Sequence, residues 1–213
     1  MIELKKYLKP AYYIDSDSID VINLAKSIVV KKKSDIEAAI DLYYAIRDSI
    51  KYNPYEFNLV SDNLKASIIA KKQINFCIPK AVLLASVARV IGIPSRLGFA
   101  DVKNHLISKE LFELMQTNVF IYHGFAELYL NNKWVKATPA FDKAMCEKNG
   151  IKTPEFDGHN DSIFHEYDTS GKRHMEYLKY HGSFDDLPYD QIVESMKKNY
   201  PLHILYDFKK NSD

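Results

Sequence analysis

Apolar positions along this chain change their spacing near the middle. In the first half they recur at intervals of three and four, as on helices that bury one face. Residues 16–33, SDSIDVINLAKSIVVKKK, open on Ser and Asp capping candidates and space Ile19, Ile22, Leu24 and Ile28 so that they can share a face. Residues 34–54 predict the clearest helix: Ser34 can cap it, Glu37 stands at the third position of a capping box, and Pro54 closes it. A third helix is expected over SDNLKASIIAKKQI and a fourth over Ile78–Ile91, with Gly92 as its stop.

The second half reads differently. PSRLGFADV is short and strand-like, and SKELFELMQT looks like a helical insertion. Then NVFIYHGFAELYL and KWVKATPAF form two β-branched and aromatic runs joined by Asn131-Asn132, residues that tolerate the positive φ of a tight hairpin turn. A short helix around Lys143–Lys148, a polar segment from Asp157 to Tyr167 rich in His and Asp, and a last helix over Tyr189–Asn199 complete the chain. Helices followed by strands predict an α+β fold rather than a doubly wound one. No glycine-rich phosphate-binding motif occurs, so nucleotide binding has no support.

Composition narrows the function classes. Lys and Arg number 29 against 28 Asp and Glu, a net charge of +1, which gives no reason to expect nucleic acid as a partner. The Lys-rich stretches LKKYLK, VKKKSD and FKKNSD read as solvated faces. No run of 18 apolar residues occurs, so no membrane span is expected, and the N-terminus lacks the apolar core of a signal peptide. The two cysteines, Cys77 and Cys146, have no CxxC spacing and cannot build a disulfide framework. A cytoplasmic protein with reduced thiols is the expectation. At 213 residues a single domain is predicted over 1–213, with its core at about residues 34–145 and helical N-terminal and C-terminal extensions.

Cys77 falls at or just before the first turn of the Ile78–Ile91 helix, a boundary that Pro79 favours because proline costs nothing in a first turn. Unpaired backbone N–H groups and the helix dipole at that end stabilise a thiolate, which predicts a depressed thiol pKa. Equally, a free cysteine often serves as a small buried hydrophobe. A base is offered by His123, in the middle of the first hairpin strand and followed by Gly124, a residue that marks a close backbone approach within a strand. With a two-residue turn, Leu130 pairs with Lys133, and the diagonal neighbours of His123 on its face are Thr138 and Asp142. Either could orient the imidazole, as the third member of a triad does.

The segments C-x-x-K-A-x-L-L-A-x-x-A-R-x-x-G-I-P-S-R (77–96) and H-G-F-A-E-L-Y-L-x-x-K-W-V-K-A-T-P-A-F (123–141) together resemble the transglutaminase-like superfamily of papain-type thiol enzymes, in a bacterial branch. The resemblance implies N-terminal helices and a nucleophile-bearing helix packed on a small antiparallel sheet. It implies Cys77 as nucleophile and His123 as base, acting on a peptide or protein amide without cofactor or metal. Family sequences commonly read W-x-x-x-D-P-T; here WVKATPA puts Thr138 in place of that aspartate, and Asp142 is the candidate substitute.

Other readings compete. The fold could be retained as a peptide-binding module with catalysis impaired, which the threonine favours and the retained Cys and His oppose. His159, His165, His174 and His181 with Asp157 and Asp161 could suggest a metal, but they lack ligand spacing. Gln73 is a possible second oxyanion donor, and a solvated glutamine is the plainer reading. Arg96 and Glu127 read as a structural ion pair; Trp134 reads as packing, with shielding of a thioester as the functional alternative.

Overall fold

The computed structural model describes residues 4–31 and 34–201; the last Lys-rich stretch, 208–213, lies outside the described residues. Lys5, Lys6 and Lys9 are exposed. After a 3₁₀ turn at Leu4–Leu8 the chain forms α1 (Ile19–Ile28) and α2 (Asp35–Ser49). In α1 the face that is fully buried is Val21 and Ala25, while Ile19 is 65% exposed. The predicted stripe is therefore rotated, because two residues four apart meet the core and Ile19 precedes the contact.

The start of α2 follows its sequence: the Ser34 hydroxyl accepts the Glu37 N–H at 3.1 Å and donates to the Glu37 carboxylate at 2.9 Å. Its end does not. The helix stops at Ser49, and Pro54 instead opens a 3₁₀ turn, Pro54–Glu56. Between them β1 (Lys51–Tyr52) pairs in parallel with β2 (Ile74–Asn75), the expected third helix being reduced to a 3₁₀ turn at Ser61–Leu64 and the short α3 (Ala66–Ile69).

Helix α4 (Cys77–Val90) is the axis of the fold. Every residue from Ile78 to Arg89 is buried, so it is enclosed all round rather than amphipathic. Its C-terminus closes in a Schellman motif: Gly92 adopts φ +85, its N–H reaches Arg89 O at 3.0 Å, and the Ile93 N–H reaches Ala88 O at 3.0 Å. Helices α1, α2 and α3 cover one side of α4; a sheet covers the other.

That sheet contains β3 (Ser95–Asn104), then, after α5 (Lys109–Met115), β4 (Val119–Leu130) and β5 (Lys133–Ala137). Leu130 pairs with Lys133 and Ala126 with Ala137, across Asn131 and Asn132 at φ 47 and 62, which is the register and turn expected. After α6 (Lys143–Lys148) a strand not anticipated from sequence, β6 (Met175–Phe184), joins the far side of β3, giving the order β5-β4-β3-β6, all antiparallel. Helix α7 (Tyr189–Asn199) then packs on β4. No helix among the described residues is long and apolar enough to cross a membrane.

Candidate functional site

Cys77 is the first residue of α4 and half-buried, with the extended Phe76 as its N-cap and Pro79 within the first turn. It faces β4 at a point where strand and helix are pressed together. A Cβ on Gly124 would sit 3.2 Å from the Ile78 Cα and 3.2 Å from the Phe99 ring, so a side chain here would press on the helix backbone. The depressed thiol pKa expected at a helix start is not found. Burial pushes the Cys77 thiol up to about 11, against the backbone N–H groups of Gly124, Ile78 and Cys77 itself and the nearby Lys80 charge, which all favour the thiolate.

His123 lies on β4, paired with Ala100 of β3, and its ring is buried at 4% exposure. Phe164 covers it at a ring-centroid distance of 4.4 Å and Tyr177 approaches edge-on at 6.5 Å. Burial alone lowers its pKa to about 3, so the ring rests neutral. Its Nε2 is buried without a hydrogen-bond partner among the described residues. Cys77 and His123 line the same cleft, together with Tyr52, Phe120 and Tyr200.

The two candidates for the third position have different surroundings. Thr138 is fully buried just beyond β5; its N–H donates to Ser162 O at 3.1 Å and its carbonyl accepts from the Tyr43 hydroxyl at 3.0 Å. Its Oγ1, like His123 Nε2, has no partner at hydrogen-bond geometry. The Tyr177 phenol lies near enough for Thr138 to ease the burial that raises its pKa to about 12. Asp142, by contrast, is spent on backbone: one oxygen caps α6 by accepting the Met145 N–H at 2.9 Å, and the other accepts the Tyr52 N–H at 2.8 Å. The β4–β5 ladder ends at Ala126–Ala137, so the strand pairing does not carry Asp142 across from His123.

Residue 122, immediately before the histidine, is strained. Tyr122 has φ +54, a left-handed conformation rare for an aromatic residue, at a place where the pairing with β3 slips between Ala100 and Val102. The slip turns Asp101 toward Tyr122. The Asp101 carboxylate accepts the Tyr122 N–H at 3.1 Å and pairs with His181 Nε2 at 2.7 Å, while the His181 ring lies on the Tyr122 ring at 3.9 Å and 16°.

Two further groups were not foreseen. Lys80, one turn into α4, is fully buried, and its ammonium donates to the carbonyls of Arg47, at 2.8 Å, and Ile50 at the end of α2. Burial lowers its pKa to about 7. A lone lysine inside IPKAVLLASVA was the available signal. Tyr177 sits on β6, and the missed strand hid it.

The remaining sequence candidates stand away from the cleft. Arg96 pairs with Glu127 across the β3–β4 register and lies 4.1 Å over Trp134, which also meets Tyr7 and Tyr129. Gln73 is exposed. Asp157 holds its own loop through the N–H groups of His159 and Asn160, both at 2.7 Å. Among the described residues no three His, Cys, Asp or Glu side chains are grouped to hold a metal.

Comparison with known proteins bears on this arrangement. The family profile of the Transglutaminase-like superfamily matches residues 22–139, more than half of the chain, from α1 to just past β5. A solved structure from Cytophaga hutchinsonii, named as a putative cysteine protease, superposes with a TM-score of 0.51 at 14% identity, over 86% of this chain and 54% of its own. One from Parabacteroides distasonis, named as a putative protease, gives 0.40 at 14% identity, over 63% of this chain and 25% of its own. The chain thus spans about half the length of the first of these. No curated protein matches it in sequence.

Proposed function

The chain belongs to the transglutaminase-like superfamily, and on that premise we propose that it is a thiol enzyme performing acyl transfer or hydrolysis on a peptide or protein amide. One observation carries this reading: the side chains of Cys77 and His123 line a single cleft, where three backbone N–H groups face the sulfur. The fold shared with a protein named as a putative cysteine protease agrees with it.

Both groups rest uncharged, which sets the order of events. As the Cys77 sulfur attacks the amide carbon, its proton passes to the His123 imidazole, and the carbonyl oxygen takes up the negative charge. The backbone N–H groups at the start of α4 are the donors available to that oxygen. The C–N bond then breaks, the amine leaves with the proton from His123, and a thioester remains. Water attacking the thioester releases an acid; an amine in its place gives a new amide; either restores the thiol. Thr138 is the group we assign to orienting the imidazole, and lacking charge it supports an imidazolium less than a carboxylate would. The chemistry needs a reduced thiol, in keeping with a cytoplasmic setting, and we propose neither nucleic acid nor membrane as partner.

A second reading, a peptide-binding module of the same fold, is favoured by the raised thiol pKa and by Asp142 being engaged elsewhere. Alkylation of Cys77 by iodoacetamide at pH 7 separates the two, in a Cys146→Ala background with and without His123→Ala. The enzyme reading expects loss of the imidazole to slow alkylation at least tenfold and to shift its pH profile to the alkaline side. A sluggish thiol indifferent to His123 would leave the binding module.

A further inference from the structure

The wall of the cleft is uncharged throughout the described residues. Phe57 and Phe76 form it on the side of the N-terminal helices, Leu111 and Met115 reach it from α5, and Met196 and Tyr200 from α7 and its end. Tyr200 is fixed there, its hydroxyl accepting the Ile121 N–H at 2.6 Å and donating to Val119 O at 3.1 Å. Three charged groups of the neighbouring elements are committed to other partners: Lys80 to the carbonyls of α2, Asp142 to two backbone N–H groups, Asp101 to Tyr122 and His181. A charged side chain entering this space would lose its water and find no counter-ion, whereas an apolar one gains by burial.

We infer that the amide acted on is donated by a residue with a large, uncharged apolar side chain, aromatic or long aliphatic, and that α5 and α7 determine this specificity. The inference rests on the reading of Cys77 as the nucleophile, since it fixes which end of the cleft meets the scissile carbonyl. Apart from Cys77, His123 and two tyrosines, the residues that line the cleft are wholly apolar, which suits one such side chain beside the thiol. Cys77 and His123 stand on α4 and β4, and what α5 and α7 bring to the cleft is its apolar wall, with Tyr200 also bonded to β4 at Val119 and Ile121.

The test uses the full chain carrying Cys77→Ala, labelled with methyl-¹³C methionine. Met115 and Met196 report on the cleft, while Met145 and Met175 lie outside its lining and serve as controls. The probes are N-acetyl methylamides of phenylalanine, leucine, glutamine, lysine and glutamate. The Met115 and Met196 signals should shift with the phenylalanine and leucine probes at concentrations at least tenfold below those needed for the others, with the controls unmoved. In Met115→Glu, added to the same parent, Met196 should respond to the lysine probe at least tenfold more tightly than before. Equal response to all five probes, preference for glutamine or a charged probe, or equal movement of the controls overturns the inference. Because this variant cannot react, the outcome is independent of thiol chemistry. Selective binding with an inert wild-type thiol would retire the catalytic reading alone, and a His123-dependent thiol with an indiscriminate cleft would retire the specificity alone.

Discussion

Asp101 holds Tyr122 in a left-handed backbone conformation directly before His123: its carboxylate accepts the Tyr122 N–H at 3.1 Å, from the far side of a strand bulge. A strained residue of this kind costs about 1–3 kcal/mol and persists only when its surroundings over-determine it. The stacked His181 ring, itself bonded to Asp101, supplies the second restraint.

Removing the carboxylate should therefore be felt at the histidine. Asp101→Ala is expected to lower stability by about 1–3 kcal/mol, the worth of hydrogen bonds to a charged group, and to slow His123-dependent alkylation of Cys77 several-fold. Asp101→Asn, which keeps an acceptor, should recover part of both. Urea denaturation and iodoacetamide kinetics at pH 7 read the two effects separately. Unchanged kinetics in a destabilised Asp101→Ala would limit the brace to the fold.

Gly124 makes a second prediction. An alanine there would set its Cβ 3.2 Å from the Ile78 backbone, which cannot swing aside as a side chain could. Gly124→Ala should cost about 1–3 kcal/mol, as overpacking does. It should also draw the Gly124 N–H away from the sulfur, moving the alkylation profile of Cys77 further to the alkaline side. Stability loss with an unaltered profile would mean that the N–H does not govern the thiol.

Lys80 should make stability depend on pH in an unusual direction. Its folded pKa is lowered to about 7 by burial, while an unfolded lysine titrates near 10.4. Between these values the unfolded chain binds more protons, so stability rises with pH. From pH 7 to 8.5 this group alone should add about 1.6 kcal/mol, or roughly 3–6 °C in Tm, offset in part by the two thiols, which are raised in the fold and begin to ionise in the unfolded chain within this range. Calorimetry of wild type and Lys80→Met across this range checks it: the rise should be lost in the variant, leaving the shallow fall that the thiols impose. A rise that survives the substitution belongs to another group.

Thr138→Val distinguishes a structural role from an orienting one. The hydroxyl is fully buried with no partner at hydrogen-bond geometry, although the Tyr177 phenol lies near it, and an unsatisfied buried polar group costs about 1–3 kcal/mol. Its removal should leave Tm unchanged or higher, yet slow His123-dependent alkylation if the hydroxyl orients the imidazole. Faster alkylation, or none of this dependence, would take Thr138 out of the site.

What the sequence disclosed is what local chemistry decides. Ser34 with Glu37, Gly92 at a helix stop and Asn131-Asn132 in a two-residue turn each fix a conformation within a few bonds, and the structure follows them. Strand β6 escaped notice because its middle residues, Leu178 to Tyr180, are exposed and its remaining positions mostly half-buried, which leaves no alternation to detect. Competition between roles also misled. By its position in the sequence Asp142 is a candidate both for the face beside His123 and for capping the Lys143–Lys148 helix; the strand pairing stops short of it, and the cap took the carboxylate. The rise of the Cys77 pKa was out of reach for a related reason: a helix N-terminus is a local feature, whereas the desolvation that outweighs it comes from elements far apart in the chain.

The pairing of β6 with β3 has a consequence for how this chain can be divided. The family profile ends at residue 139, yet β3 is an interior strand only because β6, some seventy residues later, occupies its outer side from Leu97 to Asn104. A protein shortened after β5 would present that row of backbone N–H and C=O groups as an open edge, a template for strands of other molecules. Such a fragment is expected to associate with itself or aggregate, so residues 175–184 act as the sheet's guard against foreign pairing.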